Sequence, residues 1–141
     1  MALVLIPVLV IGLILGIIEL IFVHSDESGM GWMKHGIHAI PTMIIFIFIS
    51  MNLSFVYGLI GWEPSLLYEI LIRSVIGILA MFKIAGAAAV AGRVGEKMWH
   101  VIIIGVLVMV APFIWELLIC NMSWADSIPM NGCPAKAIVK P

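Results

Sequence analysis

The chain has few charged residues, and its Lys and Arg residues do not form a cluster in the sequence. Only 11% of its 141 residues are Asp, Glu, Lys or Arg, against about 25% in an average soluble domain. Seven basic and eight acidic residues give a net charge of −1. Nucleic-acid binding depends on a concentrated basic surface. The composition therefore excludes nucleic acid as an expected partner.

The motifs of the common catalytic sites are also missing. The sequence contains no His-Glu-x-x-His, no Cys-x-x-Cys and no Gly-rich phosphate loop, each of which positions a metal, a thiol pair or a phosphate. No arrangement of a nucleophile beside a base is evident. The sequence leaves open whether the chain is an enzyme and favours a role that is not catalytic.

Apolar residues are abundant instead. They make up 64% of the chain, against roughly 45–50% in globular proteins, and the mean hydropathy is +1.25. A membrane-spanning helix needs about 20 apolar residues. No internal repeat is evident. We predict one all-α membrane domain over residues 1–141, an antiparallel bundle of four transmembrane helices in contact with the lipid bilayer, at about residues 2–23, 39–60, 66–91 and 99–120, with a polar tail at 121–141.

Tryptophan and proline support these boundaries. Tryptophan prefers the headgroup level of a membrane, and one stands at an end of each predicted helix: Trp32, Trp62, Trp99 and Trp124. Trp115 alone falls inside a span. Pro41 suits the first turn of the second helix, whereas Pro112 lies inside the fourth helix and should kink it.

Basic residues indicate the orientation. Lys34, Arg93 and Lys97 fall in the first and third connections, whereas Lys136 and Lys140 fall in the tail. Cytoplasmic loops carry the excess of Lys and Arg. We therefore expect both termini on the outer side of the membrane and the 24–38 connection inside.

The two cysteines lie on the side assigned as outer. Cys120 ends the fourth predicted helix and Cys133 follows in the tail. Disulfides persist in oxidising compartments, so the positions are compatible with a Cys120–Cys133 disulfide. Two unpaired thiols are the alternative.

The first helix contains a close-packing motif, Gly12-Leu-Ile-Leu-Gly16. Small residues four apart let two helix backbones approach closely. At 100° per residue, Glu19 falls on the same stripe and should face protein. We expect the motif to serve packing within the chain; an oligomer interface is the alternative.

Five charged residues lie within the predicted spans: Glu19, Glu69, Arg73, Lys83 and Glu116. Each costs about 2.5–3.5 kcal/mol in the membrane, so we expect them to face the interior in pairs. Glu69 and Arg73 are spaced i,i+4, and Glu19 and Lys83 have similar depths. Because three acids face two bases, one carboxylate is left over, and the alternative is an ion or proton path.

Histidines share one predicted side of the membrane: His24, His35, His38 and His100, together with Asp26, Glu27 and Glu96. Imidazole and carboxylate are ordinary ligands of Zn and Cu, and His35-x-x-His38 brings two imidazoles together if the segment is helical. These residues are candidate metal ligands. The alternatives are interfacial histidines without metal or a pH-responsive network.

The sequence therefore predicts a small integral membrane subunit or scaffold. It would act through helix packing in a larger membrane assembly or a homo-oligomer. An ion- or proton-conducting protein that uses the buried charges is the alternative. A metal-binding membrane enzyme or subunit that uses the histidines is the third possibility.

Overall fold

The chain is all-helical over the residues that the computed structural model describes, 3–26, 31–90, 97–128 and 133. Its helices are α1 (Ile6–Asp26), α2 (Trp32–Met51), α3 (Leu53–Ile60), α4 (Leu66–Val90) and α5 (Met98–Ile114), followed by a π-helical turn (Trp115–Ile119) and a 3-10 turn (Ala125–Ser127). Three helices are long and apolar enough to cross a membrane: Ile6–Asp26, Trp32–Met51 and Met98–Ile119. The all-α class and the membrane character of the chain are thus confirmed.

The second predicted helix differs from the structure at its start and in its middle. It begins at Trp32, so Pro41 lies inside the helix and not in its first turn. It breaks at Asn52, which separates α2 from α3. The Asn52 amide competes with the helical hydrogen bonds: Oδ1 accepts from the Val4 N–H at 2.8 Å, and Nδ2 donates to the carbonyl oxygens of Val4 and Phe48. The break therefore anchors the segment before α1.

The α1–α2 hairpin is packed along its whole length. A Cβ atom added to Gly12 would lie 2.9 Å from the Cα of Ile44, and one added to Gly16 would lie 2.9 Å from the Cα of Ile40. The predicted use of this motif within the chain is confirmed. Residues of the two segments contact one another in antiparallel order, mostly at intervals of four residues. The pairs are Val4/Asn52, Gly12/Ile44, Gly16/Ile40, Leu20/Gly36 and His24/Trp32.

The α4–α5 hairpin repeats this arrangement. A Cβ atom on Gly77 would lie 2.7 Å from the carbonyl oxygen of Gly105, so here also two backbones touch. The pairs are Met81/Gly105, Gly77/Met109 and Arg73/Phe113. In both hairpins, close contacts at glycine recur at an interval of four residues along each helix. The sequence predicted the glycine contact of α1 but not the one between α4 and α5.

The two hairpins meet chiefly through α2 and α5. The Ser50 hydroxyl donates to the Val108 carbonyl oxygen at 3.2 Å. A layer of fully buried side chains fills the middle of the bundle: Met43, Ile47, Ala80, Ile104 and Val108. The outer surface is apolar too, with the α1 side chains Leu9, Leu13, Ile17 and Ile21 between 44% and 56% exposed, which fits contact with lipid. The polar side chains lie towards the two ends.

Candidate functional sites at the two ends of the bundle

Arg73 occupies the end of the bundle formed by the start of α4 and the π-helical turn. Its side chain is 1% exposed. Nη1 lies 3.7 Å from Oε2 of Glu69, one helical turn away, and Nη2 lies 3.9 Å from Oε1 of Glu116. Both separations exceed those of direct hydrogen bonds. One buried cation is thus held between two carboxylates that are partly exposed.

An aromatic ring and a helix irregularity complete the surroundings of Arg73. The guanidinium carbon lies 4.5 Å from the centroid of the Phe113 ring, a cation–π geometry. The π-helical turn that follows Pro112 carries Glu116; such turns often occur at functional sites. The Arg73 Nε and the Tyr57 hydroxyl are buried without hydrogen bonds to the described residues. No pattern in the sequence indicated that Phe113 would lie beside Arg73.

Asp26 contacts residues of another helix at the opposite end of the bundle. Its Oδ2 accepts a hydrogen bond from the Lys97 backbone N–H at 2.9 Å and contacts Nδ1 of His100, while its Oδ1 lies 3.1 Å from Nζ of Lys97. An acid at the end of α1 is disfavoured by that helix dipole but favoured at the start of α5. Asp26 therefore connects the end of α1 to the start of α5.

The histidines are divided between separate contacts. His100 stacks on Phe22, with ring centroids 4.1 Å apart, and contacts Asp26. His24 stacks on Trp32 at 3.7 Å and lies 5.5 Å from the His35 ring. His38 is exposed on α2.

The predicted histidine metal site is not found among the residues that the structure describes. They contain no group of three or more His, Cys, Asp or Glu side chains able to hold a metal ion. The physical reason is that the candidate ligands lie in separate groups. His100 contacts Asp26, His24 and His35 are ring neighbours, and His38 is exposed on α2. Glu27 and Glu96, the remaining candidates, lie outside the described residues.

Glu19 and Lys83 lie towards the same end as Asp26 but form no direct pair. Glu19 is 3% exposed on the inward face of α1, as expected, and its Oε2 has no hydrogen-bond partner in the described chain. Lys83 is exposed on α4.

The polypeptide after α5 is held by a covalent bond. Cys120 and Cys133 form a disulfide with their Cα atoms 5.5 Å apart, and Cys120 is 5% exposed. The lysines used to assign orientation, Lys136 and Lys140, lie outside the described residues, as does Arg93.

The charged groups at the two ends can exchange protons and stabilise the bundle electrostatically. Among the described residues, neither end has an evident nucleophile beside a base. Comparison with known proteins adds no assignment, because no protein family, curated protein or solved structure matches the chain.

Proposed function

We propose that the chain is a small four-span membrane subunit that acts through helix packing, as a scaffold in a larger membrane assembly or a homo-oligomer. The observation that carries the proposal is the apolar layer between the two polar ends, in which Met43, Ile47 and Ile104 are fully buried. Among the described residues, this layer leaves a single copy without a polar path through its centre. The outer surface of the bundle is then the part that can act, by binding other subunits.

The pairing of the buried charges supports a structural role. Arg73 is placed between Glu69 and Glu116, and Asp26 between Lys97 and His100. Moving the helices apart would leave such a charge buried without its partner, which is strongly unfavourable. These contacts join α4 to the π-helical turn and α1 to α5, which suits a rigid building block.

A fourth span through α4 is part of the proposal. This helix has 25 residues, and it carries Glu69, Arg73 and Lys83. Support comes from its close contact with α5 at Gly77 and Gly105, because a helix packed along a spanning helix crosses the same layer. Arg73 is buried inside the protein, so its charge is kept from lipid.

Both termini on the outer side complete the proposed topology. The Cys120–Cys133 disulfide supports it, since disulfides persist in oxidising compartments. Single cysteines placed at Ser65 and at Lys97, before and after α4, in a chain lacking other free thiols, should react with an impermeant reagent from opposite sides. Labelling of both from one side would contradict four spans.

The α4 surface is the proposed contact face. Lys83 is exposed there, Phe82 is 72% exposed, and a Cβ atom added to Gly86 would meet nothing within 4 Å. A glycine lets another helix approach closely, and an exposed lysine at this depth favours a partner helix that carries a carboxylate. The α1 surface, by contrast, offers aliphatic side chains such as Leu13.

Photo-crosslinking tests the proposal in native membranes. A photoreactive amino acid at Phe82 should give protein adducts, whereas the same group at Leu13 should give lipid adducts. Native mass measurement in lipid nanodiscs should find a species heavier than the 15.4 kDa chain. A monomeric mass together with lipid adducts alone at both positions would contradict a role in assembly.

A further inference from the structure

Glu19 is a buried carboxylate that side-chain packing does not explain. It lies on the inward face of α1 with Gly12 and Gly16 and is 3% exposed. The aliphatic side chain of Ile84 on α4 is buried to a similar extent, at 4% exposure. Burial in this half of the bundle therefore does not require an acid.

The surroundings favour the neutral form of this acid. Oε2 accepts no hydrogen bond from the described residues, and none of the ion pairs among them includes Glu19. The nearby charges are Asp26 on α1 and Lys83 on α4, which act on it without contact. An ionised carboxylate buried without a partner is unfavourable, whereas the protonated acid carries no charge.

The titratable groups on the helices around Glu19 form one end of the bundle. His24 and Asp26 lie on α1 itself, His35 lies on α2, Lys83 on α4, and His100 on α5. A cation near a carboxyl group favours its ionised form, whereas an anion favours its neutral form. Both kinds of charge are present on the helices of this end, Lys83 on α4 and Asp26 on α1.

The end of the bundle nearest to Glu19 along α1 is the end that carries Asp26. Asp26 lies two turns further along the same face of α1, and it contacts Lys97, whose side chain is 58% exposed. In the opposite direction the buried apolar layer that includes Met43 and Ala80 fills the bundle. The Asp26 end is therefore the side from which we expect a proton to reach Glu19.

We propose that Glu19 is a proton-binding site inside the membrane, exchanging its proton with water at the Asp26 end of the bundle. The O–H bond of the neutral acid breaks, the proton passes to water at that end, and the carboxylate left behind is stabilised by Lys83. The site is loaded and emptied from one side, so it senses the proton concentration there. It does not by itself conduct protons across the membrane.

Infrared spectroscopy of the full chain in lipid tests the site. The spectrum should contain the carbonyl stretching band of a neutral carboxyl group that shifts in D2O and is lost in Glu19→Gln. Glu63→Gln, in the exposed connection between the hairpins, is the matched control and should retain the band. The band should disappear as the pH rises, and Lys83→Met should move that loss to higher pH because the carboxylate then lacks its cation.

The route is tested by hydrogen–deuterium exchange of the same band. Asp26→Asn should slow the exchange, and an unchanged rate would overturn the proposed access. The absence of any band difference between the wild-type protein and Glu19→Gln would overturn the site itself, as would a pH dependence that Lys83→Met leaves unchanged. If Glu19→Gln does not fold, a hydrophobic carbodiimide, which reacts with neutral carboxyl groups, should modify Glu19 in the wild-type protein; mass spectrometry finding it unmodified would overturn the proposal.

Discussion

The hydroxyl group of Ser50 donates a hydrogen bond to the carbonyl oxygen of Val108, the helical acceptor that Pro112 leaves without a donor. In an α-helix the N–H of residue 112 would bond to residue 108, but proline has no N–H. The serine on α2 therefore replaces a missing bond of α5. The carbonyl oxygen that Pro112 frees in α5 thus accepts a hydrogen bond that joins the two hairpins.

Replacing this serine should destabilise the bundle. Ser50→Ala leaves a buried carbonyl oxygen without its donor, and we expect a loss of about 1 kcal/mol in the free energy of unfolding. Ser74→Ala is the control, because the Ser74 hydroxyl bonds to the Ile70 carbonyl of its own helix at 2.7 Å and contacts only the Met109 sulfur, a weak acceptor, across the interface. Unfolding in mixed micelles measures both. In a Pro112→Ala background, where the backbone N–H returns, Ser50→Ala should cost less; equal costs in the two backgrounds would contradict the explanation.

The close contact between α1 and α2 predicts a position-dependent effect of alanine. Gly16→Ala places a Cβ atom 2.9 Å from the Cα of Ile40, where only a backbone shift relieves the clash, so we expect a loss of about 1–3 kcal/mol. Gly58→Ala is the matched control: nothing lies within 4 Å of its Cβ position in α3, and alanine there should stabilise the helix by about 0.5–1 kcal/mol. Thermal unfolding of both variants checks the difference. Similar losses at the two positions would rule out the close contact.

The two carboxylates around Arg73 should replace one another in part. Glu69→Gln or Glu116→Gln alone leaves one anion beside the buried guanidinium, and each should be tolerated with a small loss. The double variant leaves the cation unpaired and should lose about 3 kcal/mol, more than the two single losses together. Glu63→Gln, which removes an exposed glutamate, should have no effect. Strict additivity in unfolding measurements would show that the carboxylates do not share Arg73.

Reduction of the disulfide should loosen the segment that follows α5. The bond closes a short loop between Cys120 and Cys133, and loops of this size contribute up to about 3 kcal/mol. Treatment with a reductant should lower the unfolding temperature of the wild-type protein and leave that of Cys120→Ser/Cys133→Ser unchanged. A reductant effect of equal size in the double variant would contradict the assignment.

Local features of the fold could be predicted, because lipid and helix periodicity act over short stretches of sequence. Hydropathy indicated the apolar helices, the i,i+4 spacing indicated the Glu69–Arg73 neighbourhood, and the Gly12–Gly16 spacing indicated a close helix contact. These inferences require no knowledge of what lies across the bundle.

Contacts between residues far apart in the sequence could not be predicted from short stretches of it. The break at Asn52 depends on a hydrogen bond to Val4, which is distant along the chain. The sequence around an asparagine in an apolar run does not indicate which residue it will bond to. The start of α2 at Trp32 was hidden by the polar residues Lys34 and His35. Which histidines contact one another could not be predicted for a related reason: sharing one side of a membrane does not determine which way each ring turns.

The pairing of helices within each hairpin has a consequence for the order in which the protein is made. The α1–α2 pair is complete in its own contacts from Val4/Asn52 to His24/Trp32, so in the proposed four-span topology it can enter the bilayer as a unit while α4 is still being synthesised. In the same topology the second hairpin carries both carboxylates that lie beside Arg73, so its buried cation enters together with its partners. Asp26 is different, because its partners Lys97 and His100 belong to the later hairpin. Its contacts close only when the two halves meet, as the last step of assembly.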